Sequence, residues 1–231
     1  MSGGAMAAAA ARPNPALANL ALALGLAALA ALWLGPLVPM SRTAFSPHML
    51  LHLGVVVVAS PLLGLSLAVR LRPFGGFRDA LSWCLLAGAF EMLAIWGWHI
   101  PLLHDAAGRS GWLFALEQAS FLAGGLALWT AIGLAREGAP AGAAAIALFF
   151  TFSHMTLFGL VLTLAPRLIY DPDLCRGAFG LDRLADQQFG GVLMAVGGGL
   201  PYLLGTAWCC WVFLTQRRQS PRRQVLTRHP E

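Results

Sequence analysis

Two histidines, His48 and His52, stand four residues apart at the start of a long apolar run that extends from Ser46 to Leu65. On a helix, residues at positions i and i+4 project from one face, about 6 Å apart along the axis. Two imidazoles at this spacing can share a metal ion, and imidazole suits copper, zinc, iron and nickel. Histidines near a membrane interface can also simply hydrogen-bond to neighbouring helices. The pair by itself therefore leaves a metal site and a structural contact both open.

Other apolar segments of the chain contain further side chains that could join such a site. His99 and His154 add ring nitrogens, and Met155 adds a thioether sulfur of the kind that favours Cu(I). Carboxylates can orient metal-binding rings through hydrogen bonds or bind the ion themselves. For Glu91, a hydrogen-bonded contact between helices is an alternative. The candidate carboxylates are Glu91, Asp105, Glu117 and Asp186.

The elements that must position these side chains are membrane spans. Of the 231 residues, 58% are hydrophobic and only 11% are charged, whereas a soluble domain carries roughly 25% charged residues. A helical span needs about 20 mostly apolar residues. The sequence therefore predicts an all-α, polytopic transmembrane bundle with about six spans. These are residues 16–38, 47–69, 79–100, 111–134, 141–165 and 189–214.

Short links between the spans predict a single transmembrane domain. We expect it to cover residues 16–215, between an N-terminal segment at 1–15 and a basic tail at 216–231. The first span could be a cleaved signal peptide, but its apolar core exceeds the usual 7–15 residues and no clean cleavage site follows, so we expect a retained helix. Three glycines at 197–199, followed by Pro201, predict a kink or a loosened turn in the last span.

Arginine supplies every basic residue, and its distribution predicts the orientation of the spans. If both termini lie in the cytoplasm, ten arginines fall inside and five outside, which agrees with the positive-inside bias. The histidines other than His229 then fall on the outer half or the outer surface of the membrane. The five arginines predicted to lie outside are Arg42, Arg109, Arg167, Arg176 and Arg183.

No catalytic motif is present, and the sequence predicts a protein that is not an enzyme. A nucleophile elbow, a phosphate-binding glycine loop and a zincin helix are all missing, and the links are too short for an ATPase. We therefore expect no nucleotide as a ligand. The basic tail favours contact with the membrane surface rather than with nucleic acid. The cysteines form no CxxC pattern.

Four short motifs, taken in order, resemble the membrane-embedded CtaG family of cytochrome c oxidase assembly factors. The similarity covers most of the chain, from Ser46 to Leu214. Two positions depart from the family pattern: Gln118 stands where a histidine is expected, and His104 stands where a tyrosine is common. The motifs are HMLLHLGVVVVASPLLGL, WHIPLLHDAA with LEQASFLAGGLALW, SHMTLFGLVLT, and LADQQFGGVLM.

This resemblance implies an assembly factor in the bacterial cytoplasmic membrane, with cytochrome c oxidase subunits as partners and copper for the buried centre of the oxidase as cargo. Spacing, predicted depth and the resemblance together favour His48, His52 and His154 as copper ligands, with His99 as a fourth ligand or relay. Three alternatives stay open. The chain could bind haem between His52 and His154, act as a scaffold without metal, or transport copper along a path that includes Glu91.

Overall fold

Every element is helical in the part of the chain that the computed structural model describes, which comprises residues 14–72, 79–135 and 140–226, with side chains to residue 216. Residues 1–13 of the predicted N-terminal segment and 227–231 of the predicted tail lie outside it. The elements are α1 (Pro15–Leu34), α2 (Leu37–Ser41), α3 (Phe45–Leu53), a π-helical turn π1 (Gly54–Ala59), α4 (Ser60–Leu71), α5 (Ala80–Trp98), α6 (Pro101–Arg109), α7 (Gly111–Ala135), α8 (Ala141–Thr163), α9 (Arg183–Val192), a second π-helical turn π2 (Leu193–Gly198) and α10 (Gly199–Leu226).

Six helical segments are long and apolar enough to cross a membrane, which confirms the expected fold class and number of spans. A helix satisfies its own backbone N–H and C=O groups by hydrogen bonds within the helix, and lipid offers these groups no other partner. Two of the segments are composite: α3, π1 and α4 form one, and α9, π2 and α10 form another. The spans are Pro15–Leu34, Phe45–Leu71, Ala80–Trp98, Gly111–Ala135, Ala141–Thr163 and Arg183–Gln216.

The first and last spans differ most from the sequence prediction at their ends. The first stops at Leu34 rather than at residue 38, because Pro36 cannot continue a helix and Gly35 is extended. The last begins at Arg183, six residues before the predicted start at 189. There the Asp182 side chain accepts a hydrogen bond from the Ala185 amide at 2.9 Å and caps the helix.

Two π-helical turns widen the second and the sixth spans. The turn π2 lies at Leu193–Gly198, and it confirms the loosened turn expected near the three glycines. The turn π1 follows directly after the segment that carries His48 and His52. A π-turn alters the backbone hydrogen-bond ladder, and here the Val56 carbonyl accepts a bond from the Trp129 indole at 3.2 Å.

Close helix packing depends on glycine where α8 meets the last span. A Cβ atom on Gly159 would lie 2.4 Å from the Ala195 amide nitrogen, and one on Gly191 would lie 2.5 Å from the Thr163 amide nitrogen. Only glycine permits so close an approach at these two positions. Small residues allow close contact between helix backbones in membrane bundles generally. Elsewhere α7 packs against both α4 and α5, and α1 packs against α4.

One end of the bundle gathers most of the polar residues of interest. It is formed by α2, the start of α3, α6, and the segment 164–182 that links α8 to α9. We call it the histidine end. The arginine distribution predicts that this end faces the outer side of the membrane.

Candidate metal centre

The first buried pair of this centre is His48 and His52 on α3. His48 is 3% exposed and His52 is 0% exposed. The His52 ring lies 4.4 Å from the Phe121 ring, centroid to centroid. Within the described residues, neither nitrogen of His52 has a hydrogen-bond partner, and the same holds for Nε2 of His48. Helix α3 therefore holds ring nitrogens inside the protein in a state that leaves them free to bind an ion.

Asp186 fixes the start of this helix from a distance of 140 residues along the chain. Helix α3 has no capping side chain of its own. The Asp186 carboxylate instead accepts hydrogen bonds from the Phe45 amide at 2.7 Å, the Ser46 amide at 3.3 Å and the Ser46 hydroxyl. A carboxylate is favourable at the positive end of a helix. Both Asp186 oxygens thus accept hydrogen bonds from the start of α3. Asp186 therefore affects the histidine rings indirectly, by fixing the position of the helix that carries them.

His99 places its ring between the two histidines of α3. It follows the last residue of α5, and its ring centroid is 5.4 Å from that of His48 and 5.4 Å from that of His52. Its Nδ1 lies 2.6 Å from the Ile95 carbonyl oxygen. Because a carbonyl can only accept, Nδ1 carries the hydrogen. In the neutral ring Nε2 is then the free lone pair, and it has no hydrogen-bond partner in the described structure.

His104 joins the same cluster, although the sequence had not placed it among the metal ligands. It lies on α6, and its ring centroid is 4.9 Å from that of His48. Its Nδ1 is 3.4 Å from an Asp105 oxygen. Burial lowers the pKa of His104, and the neighbouring Asp105 offsets part of that shift. The sequence signal was the His-Asp pair behind Pro101, a proline at the first position of a helix too short for a span.

His154 continues the cluster from α8, whereas its neighbour Met155 lies against a different element. His154 is 6% exposed, and both of its ring nitrogens have no hydrogen-bond partner within the described part of the chain. It is close enough to His52 for the two rings to interact electrostatically. The Met155 methyl group lies near Gly198 in π2, where a Cβ atom would sit 3.5 Å from it and 3.8 Å from the Met194 sulfur.

Glu117 on α7 brings a carboxylate to the cluster. One of its oxygens lies 3.9 Å from Nε2 of His48 and has no hydrogen-bond partner among the described residues. Its other oxygen lies 3.4 Å from the side-chain nitrogen Nε2 of Gln118. The Gln118 oxygen in turn accepts a bond from the Trp33 indole at 3.3 Å. Gln118, which departs from the family pattern, therefore orients Glu117 instead of supplying a ring nitrogen.

A cavity of about 10 Å³ opens between His48, His104 and Glu117. That is about the space that one water molecule needs. Arg42 lies beside it with its guanidinium donating to the Gly108 carbonyl at 3.1 and 3.2 Å. The remaining lining residues are Ser41, Ala107, Phe114 and Leu174.

Tyr170 covers the histidine end. Its ring stacks on Phe45 at 4.8 Å and lies 4.3 Å from the His104 ring, and its hydroxyl donates to the His99 carbonyl at 3.0 Å. The Gln187 side chain holds the same segment by accepting a bond from the Ile169 amide at 2.8 Å. This cover leaves the histidine rings buried.

Two predicted carboxylates serve other contacts. Asp105 accepts a bond from the Asp171 amide at 3.3 Å as well as approaching His104. Glu91 accepts a bond from the Tyr202 hydroxyl at 2.9 Å, and the Thr151 hydroxyl lies 3.5 Å from its other oxygen. The alternative of a hydrogen-bonded interhelical contact therefore describes the observed surroundings of Glu91.

The rings of His104, His48, His99 and His52 form a continuous series with centroid separations of 4.9, 5.4 and 5.4 Å. We call these four rings the histidine string. His154 lies beside the end of the string that His52 forms. Across the described ranges, no group of three His, Cys, Asp or Glu side chains is arranged so that it could hold one metal ion at once. The string offers successive donors rather than a single finished cage.

A comparison with protein families agrees with the family resemblance of the sequence motifs. The model of the cytochrome c oxidase caa3 assembly factor family, Caa3_CtaG, matches residues 4–216. No curated protein and no solved structure matches the chain. The match covers nearly the whole sequence, including every residue of the histidine string. The chain belongs to the Caa3_CtaG family of cytochrome c oxidase caa3 assembly factors.

Proposed function

We propose that this multi-pass membrane protein handles copper for the buried copper centre of a cytochrome c oxidase, without catalysing a reaction. The observation that carries the proposal is the set of six buried ring nitrogens that lack hydrogen-bond partners in the described structure. Buried polar atoms are ordinarily paired, and an exception calls for a reason. These nitrogens belong to His48, His52, His99 and His154.

The arrangement of the donors suits an ion that is passed on. A resident metal is held by a closed set of three or four ligands, and no such set is formed within the described ranges. Neighbouring rings at 4.9–5.4 Å instead let an ion exchange one nitrogen for the next. A carrier must release its cargo, so fewer ligands at each position favour delivery over storage.

Copper fits this space better than haem does. Cofactor pockets typically enclose about 300–1,000 Å³, whereas the cavity beside the histidine string measures about 10 Å³. Cavities of about 320 and 440 Å³ lie elsewhere, and their lining residues include none of the histidines. Haem between His52 on α3 and His154 on α8 would therefore require these two helices to separate.

The test measures copper per monomer in the purified full-length protein. We expect the wild-type protein to retain copper and the double variant His48→Ala/His52→Ala to lose most of it. His229→Ala is the matched control, because this histidine belongs to the C-terminal tail, outside the described residues. Equal copper content in wild type and double variant would contradict the proposal. An optical spectrum of the same sample would reveal haem through a Soret band.

A second measurement separates copper handling from a scaffold without metal. The double variant is expressed in cells from which the native gene has been removed, and the copper content of the oxidase is measured. We expect assembled oxidase that lacks copper at its buried centre. Full copper content and full oxidase activity with this variant would instead favour a scaffold.

A further inference from the structure

The charges around the histidine string bear on which ion it accepts. Glu117 is the acid whose free oxygen faces the string, 3.9 Å from Nε2 of His48. The other acids nearby are engaged: Asp186 with the start of α3, Glu91 with Tyr202, and Asp105 with the Asp171 amide and the His104 ring. Beside Nε2 of His48, Glu117 therefore provides a buried carboxylate oxygen that has no hydrogen-bond partner among the described residues.

The orientation of that oxygen is built into the structure. Trp33 donates to the Gln118 oxygen, and the Gln118 amide approaches the second oxygen of Glu117. This series of contacts holds the first oxygen towards His48. Glu117 is 0% exposed and lies on α7, which packs against α5, against α6 and against the span that begins with α3.

The positive charge of Arg42 beside the cavity works in the same direction. The half-buried Arg42 side chain lines the cavity with Glu117 and His48, and its guanidinium is bonded to the Gly108 carbonyl. A cation that enters the cavity is repelled by this guanidinium. The repulsion grows with the charge of the ion.

We propose that the histidine string selects a monovalent ion, Cu(I), over divalent ions, and that Glu117 is its counter-charge; this rests on the copper function proposed above. A monovalent ion next to one ionised carboxylate forms a neutral pair in this buried site. A divalent ion leaves one positive charge uncompensated in a buried site, which is strongly unfavourable. Imidazole nitrogens accept both classes of ion, so the charge balance decides between them.

The test compares Ag(I), a monovalent ion that does not change oxidation state under these conditions, with Zn(II). Each ion is titrated alone into the purified full-length protein. Because cysteines also bind silver, the histidine-dependent binding is the difference between wild type and His48→Ala/His52→Ala. We expect a Kd for Ag(I) at least about 100-fold lower than that for Zn(II), since the divalent ion carries the uncompensated charge.

Glu117→Gln keeps the shape of the side chain and removes its charge. We expect this variant to weaken histidine-dependent Ag(I) binding by about 10-fold or more, as loss of a buried counter-charge does. Glu91→Gln is the matched control, because Glu91 is also a buried acid in a span but is bonded to Tyr202. We expect it to bind Ag(I) as wild type does.

The outcomes separate this inference from the function on which it rests. Histidine-dependent Zn(II) binding as tight as that of Ag(I) would overturn the selection for a monovalent ion and leave metal handling standing. No histidine-dependent binding of either ion would overturn both. Unchanged Ag(I) affinity in Glu117→Gln would overturn the role of Glu117. If that variant does not fold, the comparison of the two ions on wild type still decides the selection.

Discussion

At the scale of the residue, the histidine string keeps polar atoms buried at a cost to stability. A buried polar group without a partner costs about 1–3 kcal/mol. His52 shows this most plainly, because it is 0% exposed and neither of its nitrogens has a hydrogen-bond partner in the part of the chain described. Functional groups commonly reduce the stability of the protein that carries them. The ion-free protein should therefore become more stable when such a ring is replaced.

We predict that His52→Leu raises the free energy of unfolding of the copper-free protein by about 1–2 kcal/mol, because leucine leaves no unpaired nitrogen in the apolar interior. The same variant should lose copper. Thermal unfolding in detergent measures the first effect, and metal analysis measures the second. His99→Leu is the control. It also removes the bond between Nδ1 and the Ile95 carbonyl, so its gain should be smaller. A lower unfolding midpoint for His52→Leu than for wild type would contradict the prediction.

At the scale of the element, helix α3 depends on a residue from another span. Its first two amides bind Asp186 of α9, while α9 itself is capped locally by Asp182. Both aspartates accept hydrogen bonds from amides at the start of a helix. They differ in burial, because Asp186 is 0% exposed whereas the Asp182 bond lies at the surface. This difference makes them a matched pair for mutation.

We predict that Asp186→Ala destabilises the protein by about 2–4 kcal/mol, because it leaves two buried amides and a hydroxyl unpaired. Asp182→Ala should cost about 1 kcal/mol, as is typical of an exposed cap. Denaturant unfolding of both variants measures the difference. Asp186→Ala should also reduce copper binding, because the start of α3 sets the position of His48 and His52. Equal destabilisation by the two variants would show that the bond across the spans has no special role.

The short helix α6 is an element that the sequence analysis did not predict. Its nine residues are too few for a span, and a search for long apolar segments passes over them. Pro101 at its start and Arg109 in its last turn are ordinary signals of helix ends. The helix matters because it brings His104 next to His48.

At the scale of the whole molecule, the histidine end should face the outer side of the membrane. Ten of fifteen arginines fall on the opposite side in this orientation. We predict that a fluorescent protein fused after residue 231 is active in the cytoplasm, and that alkaline phosphatase inserted in the segment 164–182 is active outside. The reverse pattern would place the histidine string at the cytoplasmic face and would contradict the predicted orientation.

The sequence by itself determined the class of the fold and the candidate donors. Six apolar segments of sufficient length require six spans, because lipid leaves the backbone no other partner. The i, i+4 spacing of His48 and His52 required that both rings share a face. The order of the motifs was sufficient to identify the family, which the match over residues 4–216 confirms.

Only the tertiary structure decided which donors meet. Sequence spacing describes one helix at a time, whereas contacts between spans depend on helix rotation, depth and close packing at glycines such as Gly159. Packing brought His104 and His99 to His48, turned both Asp186 oxygens to the start of α3, and left Glu91 with Tyr202. It also left one oxygen of Glu117 facing the histidines. Distances between residues far apart in the chain are set by packing, which no local pattern records.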